Sequence, residues 1–187
     1  MVPDEIPEPL PALNEVIVRV KAVGICGSDV HGYTGSTGRR IPGMVMGHEF
    51  CGMAETGKYA GKKVAVQPIL VCRKCEYCRG GMQSICPSKK FIGVDMGTRG
   101  ALSELVAVPE ENLFPMPDDM PFEFGALTEP FAVGAGAVRN ARIKAGDKVV
   151  IIGAGVIGLA VLVMLRQCNP GKIFSVDNNA ERLALAE

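Results

Sequence analysis

The chain has 187 residues, of which 48% are hydrophobic and 21% are charged, and its basic and acidic side chains balance to no formal net charge. This composition supports a packed core and argues against disorder. It shows neither the basic footprint of a nucleic-acid-binding protein nor a signal peptide, so we expect a cytoplasmic protein whose partner is a small molecule or another copy of itself.

The first part of the chain, 1–120, is predicted to be a β-rich domain. Residues 14–23 alternate between polar and apolar side chains, as a half-buried strand does. The other elements predicted in this domain are glycine-rich loops over 24–47 and short strands at 64–66 and 102–108.

A helical connection is predicted over 121–145, because Pro121 and Glu123 suit the first turn of a helix. From residue 146 the pattern changes to strand, helix, strand, helix, which is the rhythm of a parallel sheet. The predicted elements are strands at 148–152 and 172–176 and helices at 156–168 and from 180 onward. The fold class is therefore α/β with a β-rich part.

Residues 146–187 are interpreted as the start of a nucleotide-binding domain. Two strands cannot form a stable doubly wound sheet, since each face of each strand needs cover. We therefore expect this domain to be incomplete and the chain to be a fragment of a longer protein. The uncharged run from Val149 to Leu165 reaches the lower length limit for crossing a bilayer, but its three spaced glycines favour a buried strand turning into a helix.

Four of the seven cysteines, Cys72, Cys75, Cys78 and Cys86, follow the spacing C-x2-C-x2-C-x7-C. Four thiolates suit a tetrahedral zinc ion in a closed, structural site. An iron–sulfur cluster also takes four thiolates, and ordinary thiols or two disulfides are the remaining alternatives. The spacing favours structural zinc.

A second constellation predicts a catalytic zinc, which takes about three protein ligands and keeps one position open. Cys26 and His48 lie in glycine-framed loops and supply two candidate ligands. Glu129, at a predicted helix start, is the best candidate for the third, and Glu49 is a close alternative because it neighbours His48. Without a metal ion, the same residues would be an ordinary buried thiol and a hydrogen-bonded loop histidine.

Three polar residues follow Cys26 closely. The Ser28 hydroxyl could take a proton from a metal-bound alcohol, and His31 could relay it to water. Asp29 could orient a metal ligand from behind. Each could instead serve a turn of the backbone. Cys51 and Cys168 fit no ligand spacing and are predicted to be core residues.

The run from Gly153 to Gly158 is a G-x-G-x-x-G motif between a predicted strand and a predicted helix, and Asp177 ends the next strand. This context predicts dinucleotide binding, with the pyrophosphate at the helix N-terminus and the ribose hydroxyls on Asp177. The carboxylate would repel a 2′-phosphate, so NAD is favoured over NADP. The residues predicted to bind the cofactor are Gly153, Gly155, Val156, Ile157, Gly158 and Asp177.

Taken together, these motifs resemble the medium-chain, zinc-containing dehydrogenase family. The resemblance rests on residues 24–31, 47–50, 72–86, 129–130 and 153–158, in that order. It implies a GroES-like catalytic domain and a Rossmann domain. It also implies a catalytic zinc on Cys26, His48 and Glu129 with Glu49 adjacent, and a proton relay through Ser28 and His31.

With a glutamate at position 129, the chain resembles the polyol branch of that family, which includes sorbitol, galactitol-phosphate, threonine and butanediol dehydrogenases. The implied function is hydride transfer from a secondary alcohol, a polyol or polyol phosphate, to NAD. Two zinc ions per complete chain and a homodimeric or homotetrameric parent protein are implied, while turnover by this chain alone is not predicted. A zinc-stabilised, non-catalytic binding module is the alternative, and the cysteines disfavour a zinc-free quinone reductase.

Overall fold

The computed structural model describes residues 3–38 and 40–187, which form two compact units, one up to Leu127 and one over Thr128–Glu187. The strands are β1 (Glu15–Gly24), β2 (Glu49–Ala54), β3 (Lys63–Val66), β4 (Ile69–Leu70), β5 (Lys90–Phe91), β6 (Leu105–Pro109), β7 (Leu113–Pro115), β8 (Lys148–Ile152) and β9 (Lys172–Val176). The helices are α1 (Gly27–Tyr33), α2 (Glu76–Arg79), α3 (Phe122–Ala126), α4 (Thr128–Ala141), α5 (Val156–Arg166) and α6 (Ala180–Ala184). Short 3-10 helices cover Gln83–Ile85 and Glu110–Asn112.

The first unit is built on an antiparallel sheet with the strand order β6-β1-β2-β3-β7. The alternating pattern of β1 sends Val16 and Val18 inward, where they lie opposite Val108 and Val106 of β6. Such cross-strand pairs of β-branched residues stabilise a sheet whose one face is buried. The core cluster on this face is formed by Val16, Val18, Phe50, Ala54, Val64, Val66, Ile92, Ala101, Val106, Val108 and Leu113.

The pairing of β1 with β2 brings two loops that are distant in the sequence to the same end of this strand pair. Their antiparallel register shifts between Val20 and Ala22 and then runs on to pair Gly24 with Glu49. The chain leaves β1 after Gly24 and enters β2 at Glu49. The residues just outside the paired ends, Cys26 and His48, are therefore brought to the same place.

Several elements differ from the sequence prediction: β4, β5, β7 and α2 were not predicted, and β6 begins three residues later than expected. Residues 27–33 form α1 where only loop was predicted, because Cys26 and Asp29 make a reciprocal capping box that stabilises a short helix despite its glycines. Strand β2 was not predicted at all. Nearly all of its residues are buried, so it shows no polar–apolar alternation.

The second unit contains the parallel pair β8 and β9, which run in register from Lys148 opposite Lys172 to Ile152 opposite Val176. Both strands have the predicted bounds, whereas α5 ends at Arg166, slightly before the predicted end. Helix α4 packs closely on α5, since a Cβ at Gly134 would meet the backbone of Ala160. Val138, Ile151 and Leu165 form the buried core of this unit.

The β-rich and α/β parts follow one another as the predicted fold class requires, and the boundary between the compact units lies inside the predicted helical connection. The domain limits at 120 and 145 stay predictions. Across residues 3–38 and 40–187, the helices are all too short or too polar to span a bilayer.

Candidate active site

A cluster of three potential metal ligands lies at the end of the strand pair where β1 ends and β2 begins. The Sγ of Cys26, a ring nitrogen of His48 and a carboxylate oxygen of Glu49 all lie within 4.8 Å of one another. His48 and Glu49 are 4% and 7% exposed. A side chain at Gly24 would collide with the Glu49 carboxylate, so this glycine makes room for it. The donor set of one thiol, one imidazole and one carboxylate fits a zinc ion.

The surroundings of His48 favour the form of imidazole that binds metals. Burial lowers the pKa of His48 from its ordinary value, against the opposing charge of Asp29, so the ring is neutral at pH 7. Among the described residues its Nδ1 has no hydrogen-bond partner, and the Oδ1 of Asp29 lies 3.6 Å away. The ring of Phe91 meets the imidazole edge to face at 5.7 Å.

Asp29 joins the two loops from behind the cluster. Its side chain is 1% exposed, and its Oδ2 accepts a hydrogen bond of 3.2 Å from the backbone N–H of Cys26. Its Oδ1 forms an ion pair of 3.1 Å with Arg40. The carboxylate therefore touches the segments that carry Cys26 and His48, as expected of a residue that orients metal ligands.

The proposed proton relay lies on α1. Ser28 and His31 are both exposed and three residues apart, which places them on the same face of the helix. The backbone N–H of Ser28 lies 3.5 Å from the Sγ of Cys26, so its side chain begins close to the cluster. The carbonyl of His31 accepts hydrogen bonds from Thr34 and Ser36, which hold the end of the helix.

Glu129 is the one predicted ligand outside this unit. It lies in the first turn of α4, at the start of the second unit. Its role as third ligand stays a prediction, as does the choice between it and Glu49.

The cysteine lobe, residues 72–86, brings its four thiols within 4.8 Å of one another. Cys75 and Cys86 have their sulfurs 3.9 Å apart, and Cys86 and Cys72 have theirs 3.6 Å apart. A tetrahedral zinc ion with bonds of about 2.3 Å separates its sulfurs by about 3.8 Å. Thiols on the separate irons of a cluster would stand farther apart, and none of the four forms a disulfide. The spacing fits a single tetrahedral ion.

Local backbone groups prepare part of this lobe for a cation. The backbone N–H groups of Lys74 and Cys75 lower the pKa of the Cys72 thiol to about 6, so it is a thiolate at neutral pH. Burial raises the pKa of Cys78 to about 12, and that thiol would need a bound cation to ionise.

Arg73 and Asn112 anchor the lobe to the sheet. Arg73 adopts a left-handed backbone conformation between the first two cysteines and donates to the Oδ1 of Asn112 at 2.9 Å, while its guanidinium also pairs with Glu111. The buried Asn112 amide donates to the carbonyls of Gln67 and Ile69. These contacts hold a lobe that has little core of its own.

The glycine-rich turn between β8 and α5 has the form predicted for a dinucleotide loop. Gly153 has a φ of 99°, and a Cβ at Gly158 would collide with the Gly153 carbonyl, so both positions need glycine for the fold. Gly155 has an extended backbone and open space around it. Gly155 is also the N-cap of α5, a position that favours glycine, so its role in bringing the backbone close to a pyrophosphate stays a prediction. No side chain caps the N-terminus of α5, which begins at Val156 and Ile157.

Asp177 closes this turn from the end of β9. Its carboxylate accepts hydrogen bonds from the backbone N–H of Ala154 at 2.7 Å and of Asn179 at 2.9 Å. These donors lower its pKa from the ordinary value. Arg182 lies 4.0 Å from it but stays 58% exposed.

Several residues at these sites were missed in the sequence. Arg40 contacts Asp29 and Phe91 contacts His48, and Asn112 holds the lobe through Arg73, whose position between the first two cysteines is evident in the sequence. No spacing rule connects positions so far apart in the chain. For Arg40 the available signal was a charged side chain inside a glycine-rich, otherwise apolar segment.

A β-rich unit with two clusters of metal-binding side chains, followed by a strand–helix–strand unit with a glycine-rich turn, is the architecture of a zinc-type dehydrogenase. Residues 12–118 match the alcohol dehydrogenase GroES-like domain family. The chain belongs to this family, as the sequence motifs predicted.

A curated relative, the uncharacterized zinc-type alcohol dehydrogenase-like protein YdjJ of Escherichia coli K12, is 38% identical over 96% of this chain and 54% of its own length. The chain spans about half the length of the curated relatives it matches. The crystal structure of galactitol-1-phosphate dehydrogenase from Escherichia coli superposes with a TM-score of 0.89 at 32% identity, over 100% of this chain and 55% of that one.

Two other similar structures contain a nicotinamide dinucleotide. A short chain alcohol dehydrogenase from Escherichia coli CFT073 is complexed with NADH; it is 33% identical with a TM-score of 0.88 over 95% of this chain and 53% of that one. A protein from Sinorhizobium meliloti 1021 is bound to NADP; it is 31% identical with a TM-score of 0.87 over 97% of this chain and 54% of that one. The zinc-type relative and the NADH-bound structure agree with the predicted cofactors, zinc and NAD. Because the other structure holds NADP, the preference for NAD over NADP stays a prediction.

Proposed function

We propose that this chain provides the zinc-binding catalytic domain and the first part of the coenzyme domain of an NAD-linked dehydrogenase that oxidises a secondary alcohol of a polyol or polyol phosphate. The observation that carries the proposal is the convergence of Cys26, His48 and Glu49 within 4.8 Å in a member of the alcohol dehydrogenase family. The mixed donor set distinguishes this cluster from the four-thiol lobe, which suits a structural ion.

The roles of the residues follow from their chemistry. Cys26 and His48 would hold the catalytic zinc together with Glu129 or Glu49, and the four cysteines of the lobe would hold a structural one. When bound, zinc would lower the pKa of a coordinated alcohol and NAD would accept the hydride. Ser28 would take the proton of the alcohol, and His31 would pass it to water from the exposed face of α1.

The coenzyme part is assigned from the turn between β8 and α5. The backbone at Gly153 and Gly155, with the helix start at Val156, Ile157 and Gly158, would face the pyrophosphate. Asp177 would accept hydrogen bonds from the ribose hydroxyls, and its negative charge favours NAD over NADP. Reduced thiols in both clusters fit a cytoplasmic location.

The test is metal stoichiometry and dinucleotide binding of the purified chain. We expect two zinc ions per chain in elemental analysis and binding of NADH measured by its fluorescence. Cys26→Ala should lose one zinc and lower the unfolding midpoint only slightly, through loss of the N-cap of α1, whereas Cys75→Ala should lose the lobe zinc and unfold at a clearly lower temperature.

One zinc per chain without NADH binding would contradict the proposal and support a non-catalytic, zinc-stabilised module. Equal loss of folding in both variants would contradict the assignment of two distinct metal roles. Turnover is compared across polyols and polyol phosphates with NAD and NADP in the full-length parent protein, because turnover by this chain alone is not predicted.

A further inference from the structure

Behind the Cys26 cluster lies a buried arginine that the proposed reaction does not use. The Arg40 side chain is 5% exposed and its Nη2 lies 3.1 Å from the Oδ1 of Asp29. Its Nη1 donates to the carbonyl of Val94 at 3.3 Å, and its Nε has no hydrogen-bond partner among the described residues. A buried guanidinium with unused donors needs a specific reason, since burying a charge is costly unless it is paired.

Helix α1 leaves room for the Arg40 side chain at Gly32. A Cβ at Gly32, on α1, would collide with the Cγ of Arg40, close to the start of its stem. The three atoms nearest to such a Cβ all belong to Arg40, and the helical backbone of Gly32 does not itself call for glycine. The missing side chain on α1 therefore leaves the path along which Arg40 reaches Asp29.

The partner of Arg40 is the carboxylate that connects both metal-ligand loops. The Asp29 Oδ2 accepts the N–H of Cys26 at 3.2 Å, and its Oδ1 lies 3.6 Å from the Nδ1 of His48. Without a cation beside it, this 1% exposed carboxylate would be an uncompensated buried charge and would have to turn toward solvent. Its contacts with Cys26 and His48 would then be lost.

We infer that Arg40 is a positioning residue for the metal site: it holds Asp29 between Cys26 and His48 and ties this arrangement to the segment after the cysteine lobe at Val94. The inference rests on the proposed function, because it requires that Cys26 and His48 bind a metal ion. Loss of a residue that orients metal ligands typically weakens metal affinity by about 10–100-fold.

The experiment titrates the full chain with Co²⁺ after the lobe has been loaded with zinc. Absorption of the cobalt–thiolate pair reports the Cys26 site, and Cys26→Ala defines the background. Arg40→Met and Gly32→Ala should each weaken Co²⁺ binding by about 10–100-fold and alter the cobalt spectrum. Arg40→Lys keeps the positive charge but lacks the planar guanidinium group, and it should recover part of the Co²⁺ affinity that Arg40→Met loses.

The matched controls are Gly27→Ala, an open glycine on the same helix, and Arg19→Met, which removes an arginine from an exposed ion pair with Glu55. Both should bind Co²⁺ like the wild type. A residue with a merely structural role would lower the unfolding midpoint and release the lobe zinc as well, so zinc retention is measured in every variant.

Three results are distinguishable. If the wild type shows no signal that depends on Cys26, the proposed function fails. If the wild type binds and both Arg40→Met and Gly32→Ala bind within about twofold of it, the inference about Arg40 is overturned. If Arg40→Met does not fold, Gly32→Ala decides the question by the same criterion.

Discussion

Cys51 and Cys72 show how differently the surroundings act on two cysteines of this chain. Cys51 is fully buried, its thiol donates to the Phe122 carbonyl at 2.9 Å, and burial raises its pKa to about 11. Cys72 is held by backbone N–H groups that lower its pKa to about 6. A protonated, enclosed thiol packs like a small apolar group, whereas a thiolate attracts a cation. The prediction that Cys51 is a core residue is confirmed, while Cys168 is only half-buried at the edge of the second core.

Asp177 gives a prediction for acid stability. Its folded-state pKa lies below the ordinary value of 3.8 because the N–H groups of Ala154 and Asn179 bind the carboxylate. The stability that this charge contributes is therefore present above pH 3.8 and is lost as the pH falls through the lowered pKa. We expect the wild type to lose stability more steeply than Asp177→Asn below about pH 4. Urea unfolding followed by helical circular dichroism checks this, and parallel pH profiles would contradict it.

At the scale of elements, two short structures position the sites: the β1–β2 pair and the turn between β8 and α5. The first is determined by register, since the pairing of Gly24 with Glu49 sets where both loops leave the sheet. The second is determined by backbone conformation, since Gly153 occupies a region of φ that favours glycine. In both cases the regular element is the support and the adjoining loop carries the chemistry.

The turn allows a comparison of two nearby glycines, Gly155 at the N-cap of α5 and Gly158 inside the helix. Gly155→Ala should leave the free energy of unfolding nearly unchanged, because the space around it is open, but should weaken NADH binding by about tenfold or more by separating the pyrophosphate from the backbone. Gly158→Ala should cost about 1–3 kcal/mol, because its Cβ collides with the Gly153 carbonyl. Thermal unfolding and NADH titration measure both effects. A strong loss of stability in Gly155→Ala would show that the fold itself needs that glycine.

At the scale of the whole molecule, the three tyrosines, Tyr33, Tyr59 and Tyr77, all lie in the first unit, and the chain contains no tryptophan. Tyrosine fluorescence therefore follows the β-rich unit separately from the coenzyme unit. This gives a direct readout of what the metal ions contribute to the first unit.

Removal of metal should lower the stability of the first unit. An ion in the lobe closes a loop of 15 residues from Cys72 to Cys86, and a covalent cross-link of that span is worth about 3 kcal/mol. We expect a chelator to lower the tyrosine-monitored unfolding midpoint by on the order of 10 °C. Chelator already saturated with zinc is the control and should have no effect. An unchanged midpoint after the zinc has been removed would mean that the lobe folds without its ion.

Local patterns in the sequence were sufficient for β1, β8 and β9, for the four-cysteine lobe and for the glycine-rich turn, because strand alternation, ligand spacing and a turn glycine each involve residues close together in the chain. They also identified Cys26 and His48 as candidates. Only the tertiary structure decided that Cys26 meets His48 and Glu49 within 4.8 Å, that Arg40 contacts Asp29, and that Arg73 reaches Asn112. These contacts depend on strand register and on the burial of charges between distant segments, and no local pattern of residues encodes either.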